Sequence, residues 1–182
     1  MTDSVILIDG GYYDAVNNYV MDDHGSPIDI EEFSHALCDY FDTNLLRTKF
    51  YHAPPLNSEG EEDMSIRQSF FDMIDGCRNH QFVQRGRVRP DTGNQKGVDV
   101  GIAVDLVDMA HKQRAEAFIL FAGDEDLTHA VESAKDTLHN VYVAYGADPS
   151  EDLYVSQKLT QQADAGLNVV EDDWIRRCLY SN

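Results

Sequence analysis

Four aspartates carry the chemistry that this sequence offers: Asp9, Asp99, Asp124 and Asp126. Carboxylates brought together repel one another, and some take up protons unless a cation neutralises them. A set of hard oxygen ligands suits Mg²⁺ or Mn²⁺, and such an ion lowers the pKa of a bound water and stabilises charge on a phosphate. Zinc-type ligation has little support: the seven histidines show no HExxH spacing, and Cys38, Cys77 and Cys178 stand singly, without a CxxC pair. Each aspartate also has an ordinary reading. Asp9 before Gly10–Gly11 could be a turn residue, Asp99 a first-turn partner of a helix dipole, and Asp124 or Asp126 a helix cap. Their placement argues for more. Asp9 follows the apolar run VILI, Asp124 follows AFILFAG, and Asp99 opens a helix-period stretch that leads into the second of those runs. Ligands of an open parallel sheet bind beyond the carboxyl ends of its strands, so three chain segments are expected to deliver carboxylates to one edge. Asp105 lies roughly 120° round its helix from Asp99, at about 100° per residue, and ranks as a second-tier candidate. Asp108 reads as a solvated surface residue.

The elements that must hold these residues are legible as alternating patterns. Strand-length apolar runs fall at Val5–Ile8, Leu45–Tyr51, Phe82–Val88, Ala117–Phe121, Val141–Tyr145 and Leu167–Val170. Helix-period stretches fall between them at Ile30–Phe41, Met64–Cys77, Val98–Lys112, Leu127–Leu138 and Tyr154–Ala165, with a last one over Asp172–Leu179 that Asp172 or Asp173 could cap. Alternation of this kind predicts a three-layer α/β sandwich around a mainly parallel, Rossmannoid sheet. VILI and AFILF are apolar throughout, as strands covered on both faces should be. The chain of 182 residues fits one domain, with residues 1–182 forming a single unit. Pro54–Asp63 and Arg89–Gly97 read as polar loops.

Composition bounds the partners. No apolar run approaches the ~18 residues of a membrane span. Asp3 stands where a signal peptide would be basic, so a cytoplasmic location is expected. Net charge is −19, from 33 acidic and 14 basic residues, and that normally disfavours a polyanion. An Asp-rich, Lys-poor surface is also what a salt-rich, halophilic cytoplasm would select, because the Debye length at molar salt is only about 3 Å. Against this background the segment QRGRVRP stands out. Arg85, Arg87 and Arg89 alternate, so on one strand they would share a face and form a phosphate track; a surface cluster paired with carboxylates is the ordinary alternative. Lys96, just before the Val98 helix, could contact a phosphate oxygen, and Tyr12 beside Asp9 could stack a base.

Three segments together, VILIDGG (5–11), QKGVDVGIAVDLV (95–107) and FILFAGDEDLTHAV (118–131), resemble the NYN domain family of PIN-like ribonucleases. The resemblance implies a doubly wound α/β sandwich, Mg²⁺ or Mn²⁺, phosphodiester hydrolysis, and RNA rather than DNA as the nucleic-acid partner. Carried over by position, Asp9, Asp99 and Asp124 become metal-site carboxylates, and Asp126 supports them directly or through water. Two positions depart from the family pattern: Tyr12 stands where Asn is common, and Ala122 where Ser is common.

Two rival readings remain at this stage. A non-catalytic RNA-binding module would keep the fold without cleavage. A phosphatase of the haloacid-dehalogenase type also has an Asp after its first strand, but needs a second one two residues on, where this chain has Gly11. Neither GxGxxG nor GxxxxGK[ST] occurs. Apolar helix faces leave room for a homo-oligomer, although nothing separates them from ordinary core faces.

Overall fold

Val5–Ile8 is buried on both sides and anchors a strand, β1 (Thr2–Asp9), in a computed structural model that describes residues 2–54, 61–88 and 95–180. Two helices follow, α1 (Gly10–His24) and α2 (Ile30–Tyr40), then β2 (Thr43–His52), α3 (Glu61–Gly76) and β3 (His80–Gln84). A short ribbon of β4 (Arg87–Val88) and β5 (Gln95–Lys96) leads into α4 (Val98–His111) and β6 (Ala117–Phe121). After a 3₁₀ turn at Glu125–Leu127 come α5 (Thr128–Asp136), β7 (Asn140–Tyr145), α6 (Gln157–Gln162), β8 (Ala165–Asn168) and a 3₁₀ segment, Glu171–Cys178.

Six of these strands form one parallel sheet in the order β3-β2-β1-β6-β7-β8. The expected three-layer α/β architecture is therefore what the chain adopts, with every pairing in this sheet parallel. One layer buries Ile6, Ile8, Phe50 and Phe121 under α1, α2, α3 and the C-terminal 3₁₀ segment. The other buries Val5, Leu7, Phe118 and Leu120 under α4, α5 and α6. Alternate residues of β1 and β6 thus feed opposite cores, as the period of a strand requires. The strand order turns outward in both directions from β1 and β6, so the crevice at their carboxyl ends is the topological switch point of the sheet.

Four local features differ from the sequence reading. No helix is foreseen over Gly10–His24, because two glycines, the poorest helix formers after proline, open it. Tertiary packing overrides that cost: Tyr13, Val16 and Val20 line one buried stripe, and the Tyr13 hydroxyl donates to the Ile28 carbonyl at 3.1 Å. The strand expected over Phe82–Val88 ends at Gln84, since Gly86 adopts φ +75° and an added Cβ there would stand 2.3 Å from the Lys96 carbonyl oxygen. Gln95 and Lys96, expected in a loop, pair with Val88 and Arg87 instead. Asp172 and Asp173 cap nothing; both take left-handed backbone angles, φ 52° and 55°, and the segment beyond them is 3₁₀. Among the described residues no helix is long and apolar enough to cross a membrane.

Candidate metal and nucleic-acid site

Asp9 ends β1 and caps α1. Its Oδ1 accepts from the backbone N–H of Gly11 at 2.9 Å and of Tyr12 at 3.3 Å, which satisfies two orphan donors of the helix start. Asp124 repeats the device beyond β6, with Oδ1 accepting from the Asp126 N–H at 2.9 Å across the 3₁₀ turn. β1 and β6 are neighbours, with Ile8 opposite Phe121, so the two capped aspartates emerge side by side. In each, Oδ1 accepts from the backbone, and among the described residues Oδ2 has no hydrogen-bond partner. Asp99 arrives from the opposite layer in the first turn of α4, whose N-cap, Gly97, supplies no side-chain hydrogen bond.

The candidate carboxylates influence one another's ionisation. Burial pushes the Asp9 carboxyl up to about 6, helped by the negative charge of Asp99 and, more weakly, Asp124, while its two backbone hydrogen bonds pull the other way. Asp99 is likewise raised, first by partial burial and then by Asp124 and Asp126. Asp9 is buried, Asp99 half-buried, and Asp124 and Asp126 exposed. The site is thus a graded well, closed at Asp9 and open at Asp124. Among the described residues no three His, Cys, Asp or Glu side chains are preassembled as a metal cage. The donor set still fits Mg²⁺ or Mn²⁺, because Mg²⁺ keeps several waters and binds through one or two carboxylates plus substrate phosphate.

The remaining candidates are placed differently. Asp105 is about 9 Å further along the α4 axis than Asp99, at 1.5 Å per residue. Its Oδ2 pairs with the Lys49 ammonium and accepts from the Tyr51 hydroxyl at 2.8 Å, both from β2. Those partners hold its carboxyl below the usual range against the opposing effect of burial, which is the largest single influence on it. Replacing Asp105 with Asn is expected to cost about 1–3 kcal/mol, the usual penalty for stranding part-buried polar partners. Because the native pKa is depressed, that stabilisation is present above the unfolded value and lost as pH falls through the native one. Urea unfolding at neutral pH and near pH 3 checks it; an equal gap between wild type and variant at both would contradict the assignment.

Arg85 lies along α4, its side-chain carbons 2.9–3.2 Å from where a Cβ on Gly101 would stand. Its charge also eases the ionisation of Asp105 and Tyr51. Arg87 sits on β4, directly opposite Lys96 on β5, with both side chains exposed. The expected single-faced stripe is therefore broken at Gly86, and Arg87 and Lys96 form a basic pair in its place. Arg89 lies outside the described residues. The Tyr12 ring fills the space above Gly123, where a Cβ would approach it to 2.4 Å, and its hydroxyl donates to the Gly146 and Tyr154 carbonyls at 2.7 and 3.1 Å. It forms a wall of the site, tilted against Phe121. Ala122 is fully buried.

Sequence reasoning passed over His52, the last residue of β2. Its Nδ1 faces the Ala53 carbonyl at 2.6 Å, and its Nε2 lies 3.1 Å from Asp14 Oδ2 and 3.2 Å from an Arg67 nitrogen. The signal existed: His52 directly follows the Leu45–Tyr51 run and ends β2 at the same carboxyl edge that singled out Asp9.

Among solved structures the chain is similar to the UDP-GlcNAc 2-epimerase from Methanocaldococcus jannaschii, with a TM-score of 0.48 and 11% identity over 96% of this chain and 42% of that one. The chain thus spans less than half of that enzyme's length. No curated protein matches it. The NYN domain model matches residues 5–168, which takes in β1 from Val5 onward and all four aspartates. By that match the chain belongs to the NYN domain family, which has the PIN-like nuclease fold found generally in ribonucleases.

Proposed function

We propose that the chain is a metal-dependent ribonuclease that hydrolyses phosphodiester bonds of RNA at the Asp9–Asp99–Asp124–Asp126 crevice. One observation carries the reading: the ends of the neighbouring strands β1 and β6 and the first turn of α4 bring Asp9, Asp124 and Asp99 toward one switch point. There burial first, and the neighbouring carboxylates after it, raise the proton affinity of Asp9 and Asp99. Capping accounts for Asp9 and Asp124 one at a time, but not for Asp99 beside them, and a cation relieves the repulsion of the set. Mg²⁺ or Mn²⁺ would be held by Asp9, Asp99 and Asp124, with Asp126 in support, and would supply a water of lowered pKa and positive charge for the phosphate. The chain's own contribution is positional. Backbone donors fix Asp9 and Asp124 through Oδ1, so little reorganisation is left at the moment of reaction. Tyr12 closes the crevice on one side.

The Arg87–Lys96 pair supports nucleic acid as substrate. Like charges directly opposite in a ribbon destabilise it, and such a pair, in a chain of net charge −19, gains most from an anion lying across both. Lys96 is also three residues from Asp99, so a phosphate held there stands near the crevice. Replacing Arg87 with Glu is expected to weaken RNA binding and lower the slope of log K against log salt by about one. Fluorescence anisotropy over a salt series reads both, and unchanged affinity would remove the pair from the substrate path. A non-cleaving RNA-binding module is favoured by one point, the lack of a preassembled three-ligand cage among the described residues. End-labelled RNA and DNA incubated with Mg²⁺, Mn²⁺ or EDTA, at low and molar KCl, separate the two. Metal-dependent cutting supports the nuclease, and binding that survives EDTA without cutting supports the module.

A further inference from the structure

Five lysines occur in the chain, and three of them are paired with carboxylates outside the aspartate set: Lys49 with Asp105, Lys112 with Asp108 and Lys135 with Asp164. The other two flank the crevice. Lys96 belongs to the ribbon that follows β3. Lys158 lies in α6, within the crossover from β7 to β8. The strand order β3-β2-β1-β6-β7-β8 puts these two lysines on opposite sides of β1 and β6, the strands that deliver Asp9 and Asp124.

The chain around Lys158 is tied directly to the crevice. The Tyr154 carbonyl accepts from the Tyr12 hydroxyl at 3.1 Å, and the Ser156 N–H donates at 2.8 Å to the carbonyl of Gly123, the residue before Asp124. Lys158 Nζ stands 2.6 Å from Oε1 of Glu125, the residue between Asp124 and Asp126. Leu159, fully buried, fixes the same turn of α6 to the core. The backbone is therefore held in place while the ammonium stays in solvent, with the Lys158 side chain 70% exposed.

Exposed ion pairs contribute little to stability, so the contact with Glu125 yields readily to another anion. A phosphate strand crossing the site needs such a cation. Asp124, Glu125 and Asp126 are all exposed, and a strand held only by Arg87 and Lys96 would meet their charge unopposed on the far side. On the proposed ribonuclease reading, we infer that Lys158 binds a backbone phosphate of the RNA on the side of the aspartates opposite the Arg87–Lys96 pair. Its ammonium exchanges Glu125 for a phosphate oxygen. Glu125 keeps the ammonium at the lip of the crevice in the free protein and competes with the strand for it. A lysine suits that exchange, being a point charge on a flexible stem with three rotatable donors. The contact positions the strand and reads no base.

The test uses the full chain in EDTA, with a labelled single-stranded oligoribonucleotide followed by fluorescence anisotropy over a KCl series. Lys158→Gln is expected to weaken binding about tenfold, the scale of one lost charge-assisted hydrogen bond. It should also lower the slope of log K against log salt by about 0.7, the share of one phosphate contact on a single strand. Lys112→Gln makes the same charge change at the far end of α4 and is expected to alter neither. Glu125→Gln is expected to tighten binding about threefold, the scale of one exposed ion pair released, and to do so only where Lys158 is present. That non-additivity is a coupling which general charge does not produce. Melting of Lys158→Gln should match wild type; a clear drop would mark the pair as structural and overturn the assignment. Equal losses in Lys158→Gln and Lys112→Gln, or a Glu125→Gln gain that persists without Lys158, overturn it even if wild type cuts RNA with Mn²⁺. The expected pattern on a protein that never cuts upholds the contact and retires the nuclease. A folded wild type that binds no RNA overturns both.

Discussion

Asp9→Asn is expected to abolish RNA cleavage, by on the order of a thousandfold or more, while making the metal-free protein harder to melt. The first effect follows from the charge. A metal ion's stabilisation of transition-state charge is worth several kcal/mol, and each ~1.4 kcal/mol is tenfold in rate. The second follows from what the substitution keeps. An Asn Oδ1 accepts the same bonds from Gly11 and Tyr12 that Asp9 does, so α1 stays capped while a buried charge disappears. Asp9 is raised from 3.8 to about 6, a difference worth roughly 3 kcal/mol at neutral pH. For a chain of this length that converts to roughly 6–12 °C. Calorimetry alongside the cleavage assay gives both numbers. A variant that cuts within tenfold of wild type, or melts below it, removes Asp9 from the role assigned here.

The second large effect is a coupled dependence on pH and metal. Because the native pKa of Asp9 lies above the unfolded value, the native state holds the extra proton between about 3.8 and about 6. Its contribution to stability is therefore fully present below the unfolded pKa and lost as pH rises through the native one. Asp99, raised by burial and by Asp124 and Asp126, acts in the same direction. A cation competes with that proton. Mg²⁺ or Mn²⁺ at a hundred times its dissociation constant should restore about 2.7 kcal/mol near pH 7.5 and much less near pH 5. Asp9→Asn should lose most of the increment. Thermal melts across that range decide it: stabilisation by metal that is equal at both pH values, or unchanged in the variant, would mean that the ion binds elsewhere.

How much of this was legible in the sequence depended on which force shaped each element. Runs such as VILI and AFILF declare themselves because a strand buried on both faces has no polar position to spend. Asp9 and Asp124 were legible for the same reason, as the first charges after such runs. Helix α1 was hidden because its start is dictated by the site: Gly10 and Gly11 weaken the helix locally, and Asp9 compensates as cap. The arginine stripe failed at Gly86, whose positive φ ends one strand and aims the next residues into a separate ribbon. That turn depends on the approach of the Lys96 backbone, a contact ten residues away that no local pattern encodes. His52 was hidden because its partners, Asp14 on α1 and Arg67 on α3, come from distant segments that no local pattern links to it.

The basic ribbon has only two residue pairs, Arg87 with Lys96 and Val88 with Gln95, whereas Asp9 and Asp124 leave the two central strands of a six-stranded sheet. A ribbon so short is marginal by itself, and local openings of a protein span the range from nearly free to the full cost of unfolding. On the proposed ribonuclease reading the two halves of the site are expected to open independently, with amide hydrogens exchanging last beside Asp9 and Asp124 and early in the ribbon of Arg87 and Lys96. Mild heat or denaturant would then disable recruitment of long substrates well before it disturbed the carboxylates.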